Sequence, residues 1–141
     1  TPLGARCVHS AGGPPTLIAT VARQAAKRRA LERRGAEVLV LPAVRGRVPL
    51  SRLLRELAKR GIHSLLIEGG GEVLASAFAE RLVDRVVWFI APMLIGGRDA
   101  PGSIGGGGIA RLSQAIRLKD VHVRRVGPDL CVEGRVVYPP S

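Results

Sequence analysis

The sequence predicts an α/β fold, a mainly parallel sheet flanked by helices that ends in a C-terminal antiparallel hairpin. Three observations carry that prediction. Up to Pro92, short apolar and β-branched runs alternate with helix-forming segments, the pattern of strands joined by helical crossovers. Residues 94–108 then hold so much glycine that no regular element is expected there. Beyond them, two alternating runs flank Gly127-Pro128-Asp129, a hairpin signal.

Each element has its own warrant. Pro15 to Thr20 is apolar and partly β-branched, as a buried strand requires. Ala22 to Arg34 is rich in Ala, Arg, Lys and Glu, and Gly35 stands where a helix C-cap belongs. Glu37 to Leu41 is a second strand, stopped by Pro42. Leu50, Leu53, Leu54 and Leu57 recur at helical spacing, which predicts an amphipathic helix over Leu50 to Arg60, capped by Gly61. Ser64 to Ile67 reads as a third strand. Glu72 to Arg81 reads as a third helix, with Val73, Ala77 and Phe78 on its buried stripe, and Arg85 to Ile90 as a fourth strand. The hairpin strands are expected over Arg117 to Val126 and Leu130 to Tyr138, where His122 and Arg124 alternate with Val121, Val123 and Val126. No internal repeat and no linker divides residues 1–141, so one domain is expected. The opening run from Thr1 to Ser10 shows no period and reads as a start in mid-protein, a processed or trimmed N-terminus being the alternative.

Composition narrows the function classes. Hydrophobic residues at 46% and charged residues at 23% describe an ordinary globular domain. No apolar run approaches the roughly 20 residues of a membrane span, and no charged-then-apolar leader opens the chain. A cytoplasmic protein without membrane contact is expected. Cys7 and Cys131 form no CxxC pair and read as reduced structural thiols. Twenty-two basic residues against 11 acidic ones give a net charge of +11, a field that draws anions. The charge is scattered, and one Trp, one Tyr and two Phe leave little material for stacking bases. Nucleic acid is therefore the weaker partner and phosphorylated small molecules the stronger. His9, His63 and His122 lack metal-ligand spacing, and no metal is expected. Ser51, Ser76 and Ser103 lie in no nucleophile elbow. The basic helix around Lys27 to Arg29 reads as a solvated face, and the Gly102 to Gly108 loop as pliable, either closing over a ligand or lying at a subunit contact.

The most informative stretch runs from Leu65 to Leu74, where a strand enters Gly69-Gly70-Gly71 and then a helix. Backbone without Cβ atoms lets a ligand approach, and free N–H groups with the helix dipole favour a phosphate or diphosphate. The stretch is neither a dinucleotide fingerprint, since Leu74 stands at the third glycine position, nor a P-loop. A tight turn that merely needs small residues is the competing reading. Glu68, before the glycines, has two readings as well: it holds amino or amide groups of a pyrimidine ring, or it pairs with an arginine.

The run Gly61-Ile62-His63-Ser64-Leu65-Leu66-Ile67-Glu68-Gly69-Gly70 resembles the "GINSLLVEGG" signature of riboflavin-biosynthesis pyrimidine reductases, the reductase half of a bifunctional deaminase–reductase. Leu82-Val83-Asp84 and Ile90-Ala91-Pro92-Met93-Leu94-Ile95-Gly96-Gly97 are similar to that family's "LVDE…YIAPKLLGG" run, and Ala77-Phe78, Gly105 to Ile109 and Asp129-Leu130 also match. The resemblance implies a dihydrofolate-reductase-like fold. It implies reduction of a ribosylamino pyrimidine 5′-phosphate, of the 5-amino-6-(5-phosphoribosylamino)uracil type, to the ribitylamino compound with NADPH. By position it implies substrate contact at Glu68 and coenzyme contact along Gly69, Gly70, Gly71, Glu72, Val73, Leu74, Ala75 and Ser76. Family members tend to pair as dimers, so the resemblance implies a homodimer, with the apolar C-terminal hairpin offering an edge. The family carries a further half-domain and a deaminase ahead of this region, so the chain reads as a truncated reductase that is inactive alone. Gly71 departs from the family's usual residue and is similar to the triple-glycine turn of dihydrofolate reductases, which keeps a related enzyme of other substrate as the alternative. A non-catalytic dimerisation remnant is a further alternative.

Overall fold

A computed structural model describes residues 1–8, 14–97, 100 and 102–140. His9 and Arg98 lie outside the described residues. The chain forms two compact units, Thr1–Leu65 and Leu66–Ser141.

The first unit holds β1 (Leu17–Thr20), α1 (Ala25–Glu32), β2 (Glu37–Val40) and α2 (Leu50–Lys59). β1 and β2 pair in parallel, Leu17 opposite Glu37 through Thr20 opposite Val40, with α1 as the crossover between them. Val8, Leu31 and Ala36 are buried together, and Leu3, Ala5, Ile18 and Val38 pack against them. The opening segment, which shows no period, thus supplies Val8 to a core from a short turn of 3-10 helix at Arg6–Val8. Arg60 and Glu37 form an ion pair at 2.7 Å.

Helix endings follow one design. At α1, the Gly35 N–H donates to the Glu32 carbonyl at 3.0 Å and Ala36 N–H to Leu31 at 3.3 Å, the paired bonds of a Schellman cap. α2 ends in the same way at Gly61 and Ile62. The glycines after α1 and α2 take positive φ without steric cost, as the sequence predicts. The third helix ends with Arg81 in that place instead. Its guanidinium lies 5.1 Å from the Tyr138 ring centroid and donates to the Pro139 carbonyl, contacts that hold a non-glycine residue in the left-handed region.

The second unit holds α3 (Gly71–Ala79), β3 (Arg85–Ile90), β4 (Arg117–Val126) and β5 (Asp129–Val137). The strands form one antiparallel sheet in the order β3-β5-β4. β4 and β5 meet through Gly127-Pro128, with positive φ at Gly127 as a primed two-residue turn requires. A bulge between Lys119 and His122 places Asp120 at φ 51 and sets its extra residue against Gly134. A Cβ on Gly134 would lie 3.1 Å from Leu118 Cβ and 3.2 Å from the Lys119 carbonyl oxygen, so the bulge admits only glycine there without displacement.

Two features differ from the sequence reading. Ser64 to Ile67 is not a strand: residues 62–68 join no ladder among the described residues, and Leu66 is 73% exposed. A strand exists through its neighbours' hydrogen bonds, so apolar composition without a paired edge leaves no regular element. The α/β class stands, but among the described residues parallel pairing is confined to β1 and β2, and β3 joins the antiparallel hairpin rather than the parallel series. Boundaries shift by a few residues: α1 begins at Ala25 rather than Ala22, α3 spans Gly71–Ala79 rather than Glu72 to Arg81, and β5 begins at Asp129.

Candidate functional site: the glycine turn and its strap

Residues 62–68 lead into Gly69 and Gly70, at φ 68 and φ 74, and Gly70 is the N-cap of α3. Two successive positive φ values at adjacent positions are what the consecutive glycines supply. The first helical hydrogen bonds run from Val73 and Leu74 N–H to the Gly70 carbonyl, at 2.9 and 3.1 Å. The amides of Gly69, Gly70 and Gly71 have no acceptor among the described residues. Three such donors at the positive end of a helix dipole make a place for anionic oxygen atoms.

The two sides of this turn differ. A Cβ built on Gly69 would meet nothing within 4 Å, so that side is open. On the other side, Gly102 to Gly108 lies across the first turn of α3 as a strap. Gly105 N–H donates to the Gly71 carbonyl at 3.0 Å, and Gly106 N–H donates to Glu72 Oε1 at 3.0 Å. The approach is as close as backbone allows. A Cβ on Gly71 would lie 3.0 Å from Gly105 N, one on Gly105 2.8 Å from Glu72 Oε1, and one on Gly106 2.9 Å from Ala75 Cβ. The glycines of the turn and of the strap are therefore a matched set.

The predicted site residues divide accordingly. Glu68 is exposed and has no hydrogen-bond or ion-pair partner among the described residues of its unit. The arginine-pairing reading finds no partner there. Gly69 and Gly70 line the open side, while Gly71, Glu72 and Ala75 lie under the strap. Val73 is 45% exposed, and Leu74 is half-buried. The Ser76 hydroxyl donates to the Glu72 carbonyl at 2.8 Å, within the helix. The contact between strap and helix was not legible beforehand. Glycine at 105–108 signals a pliable loop but carries no address for the backbone it will touch.

A second concavity, about 290 Å³ and open to solvent, is lined by Asp84, Arg85, Asp120, His122, Gly134 and Arg135. None of the turn residues borders it. Its charges are partly compensated, since Arg85 pairs with Glu133. Among the described residues no group of three or more His, Cys, Asp or Glu side chains is placed to hold a metal ion.

Comparison with known proteins bears on this geometry. The chain is 39% identical over 139 residues to the riboflavin biosynthesis protein RibD of Actinobacillus pleuropneumoniae, covering 99% of this chain and 37% of that protein. It is 41% identical over 119 residues to the 2,5-diamino-6-ribosylamino-4(3H)-pyrimidinone 5′-phosphate reductase of Methanothermobacter thermautotrophicus, covering 84% of this chain and 54% of that one. It thus spans between about a third and just over half of the length of these curated relatives. The fold is similar to that of Acinetobacter baumannii RibD, with a TM-score of 0.69 and 23% identity over 86% of this chain and 31% of the other. It is similar also to the Saccharomyces cerevisiae riboflavin biosynthesis reductase Rib7, with a TM-score of 0.66 and 17% identity over 89% of this chain and 57% of the other. Residues 1–132 match the RibD C-terminal domain, and the chain belongs to that family.

Proposed function

We propose that this chain supplies the glycine turn and substrate carboxylate of an NADPH-dependent reductase of riboflavin biosynthesis. The observation that carries the reading is the open turn, where three adjacent amides without acceptors stand at a helix N-terminus beside an exposed carboxylate. The substrate is a ribosylamino pyrimidine 5′-phosphate of the 5-amino-6-(5-phosphoribosylamino)uracil type, and the product its ribitylamino counterpart. The archaeal relative is named for a 2,5-diamino pyrimidinone, so both ring types belong in the test.

Donor chemistry fits the coenzyme. Gly69, Gly70 and Gly71 would present N–H groups to a diphosphate, and the missing Cβ at Gly69 leaves that side open to its oxygens. NADPH, when bound, supplies the hydride that reduces the sugar carbon. Glu68 would accept hydrogen bonds from ring amino or amide N–H groups, which fixes the pyrimidine and so the sugar's position. The net charge of +11 favours encounter with two phosphorylated ligands.

A homodimer is part of the proposal. Trp88, Val132 and Val123 stand in one row across the sheet, and Trp88 and Val123 are 41% and 61% exposed. An apolar row of this kind is suited to a second copy of the chain. A cytoplasmic location is proposed from the unpaired Cys7 and Cys131. Among the described residues no helix is long and apolar enough to cross a membrane.

The test uses the full chain that carries this domain. NADPH should raise its melting temperature where ATP at equal concentration does not, and either pyrimidine should then drive NADPH oxidation. Glu68→Gln should raise the KM for the pyrimidine about tenfold or more, the loss expected for a charged hydrogen bond, and leave NADPH affinity unchanged. An equal thermal response to NADPH and ATP would count against the reading.

A further inference from the structure

Glu72 occupies a position where its charge works against a bound diphosphate, because it lies in the first turn of the helix whose tip would hold the phosphates. Its carboxylate is instead directed to the strap: Oε1 accepts from Gly106 N–H at 3.0 Å, a residue 34 positions away. The neighbouring Gly105 N–H to Gly71 carbonyl bond completes a two-point attachment. A Cβ on Gly71, Gly105 or Gly106 would stand 3.0, 2.8 or 2.9 Å from its nearest neighbour, so the strap backbone lies directly on the first turn of the helix.

Resting on the reductase reading above, we infer that Glu72 is a positioning residue that fastens the Gly102–Gly108 strap over the N-terminal turn of α3, making the strap the second wall of the coenzyme's diphosphate site. Glu72 does not touch the coenzyme. Its Oε1 accepts from the strap amide, and the strap closes one side of the turn while Gly69 leaves the other open for entry. The glycine loop is thereby assigned to coenzyme binding rather than to a subunit contact.

The experiment compares the full chain with Glu72→Ala and Glu72→Gln variants. Because Glu72 is exposed, neither change opens a cavity. In the alanine variant the Kd for NADPH should rise about tenfold, as for loss of a hydrogen bond to a charged group, with its KM following and kcat changing less than about twofold. Amide exchange at Gly105 and Gly106 should accelerate in parallel. Glutamine keeps an acceptor oxygen, and its Kd should stay within about threefold of the parent chain. NADPH affinity indifferent to Glu72→Ala overturns the strap assignment alone, and so does a glutamine variant as weak as alanine. A parent chain that binds no NADPH, with the strap amides still protected, overturns the reductase reading and the assignment with it.

Discussion

Gly105→Ala sets two costs of known size against each other. A Cβ there would stand 2.8 Å from Glu72 Oε1, 3.1 Å from the Gly71 carbonyl carbon and 3.3 Å from the Glu72 nitrogen. If the strap stays seated, the overpacking strain is about 1–3 kcal/mol. If it lifts, the Gly105–Gly71 and Gly106–Glu72 bonds are lost, about 1 kcal/mol for the neutral pair and about 1.5 kcal/mol or more for the charged one. The chain takes the cheaper route, and the two are close, so a loss of about 2 kcal/mol is expected either way. For 141 residues that corresponds to a melting temperature lower by roughly 8 °C. Gly107→Ala is the control in the same strap. Its Cβ would meet nothing within 4 Å, so it should be neutral, or stabilising by about 0.5 kcal/mol through the unfolded state. Thermal melts of the full chain and both variants, with amide exchange over the strap, decide the matter. Equal melting temperatures and equal exchange in the two variants would refute the close-packing argument.

Two further outcomes test other parts of the chain. Gly134→Ala should destabilise by about 1–3 kcal/mol, because its Cβ would press on Leu118, the Lys119 carbonyl and Val121 at 3.1–3.3 Å; a lower denaturant midpoint with an unchanged slope checks this. The Glu56 carboxyl is held below its ordinary value, first by the hydrogen bond from Lys59 at 2.8 Å and then by that ammonium's charge. A depressed folded-state pKa contributes stability that is full above the unfolded value and is lost as pH falls through the folded one. The carboxyl is solvent-exposed and screened, so the contribution is small. Carboxyl titration by NMR should show the Glu56 midpoint moving upward in Lys59→Ala, and an unmoved midpoint would remove Lys59 as the cause.

Local chemistry was legible wherever it acted alone. Leu50, Leu53, Leu54 and Leu57 place α2, Gly35 and Gly61 mark where helices end, and the apolar run Arg85–Ile90 coincides with β3. The glycine turn was visible because three consecutive residues without side chains before a helix are rarely needed for anything but close approach or positive φ. The end of α3 was less legible. Arg81 takes the position that glycine holds elsewhere, and it does so through Tyr138 and Pro139, more than fifty residues on.

What the residues determined by themselves is the α/β class, the succession from β1 through α2, the C-terminal hairpin, the glycine helix caps and the turn that precedes α3. Each depends on a preference spanning a few neighbours, and such preferences survive whatever the rest of the chain does. Tertiary structure decided everything that needed a distant partner. Ser64 to Ile67 has a strand's composition but joins no ladder among the described residues, because pairing belongs to two segments and composition to one. Glu72 became a strap anchor because Gly106 came within 3.0 Å of it, and no spacing in the sequence encodes that meeting.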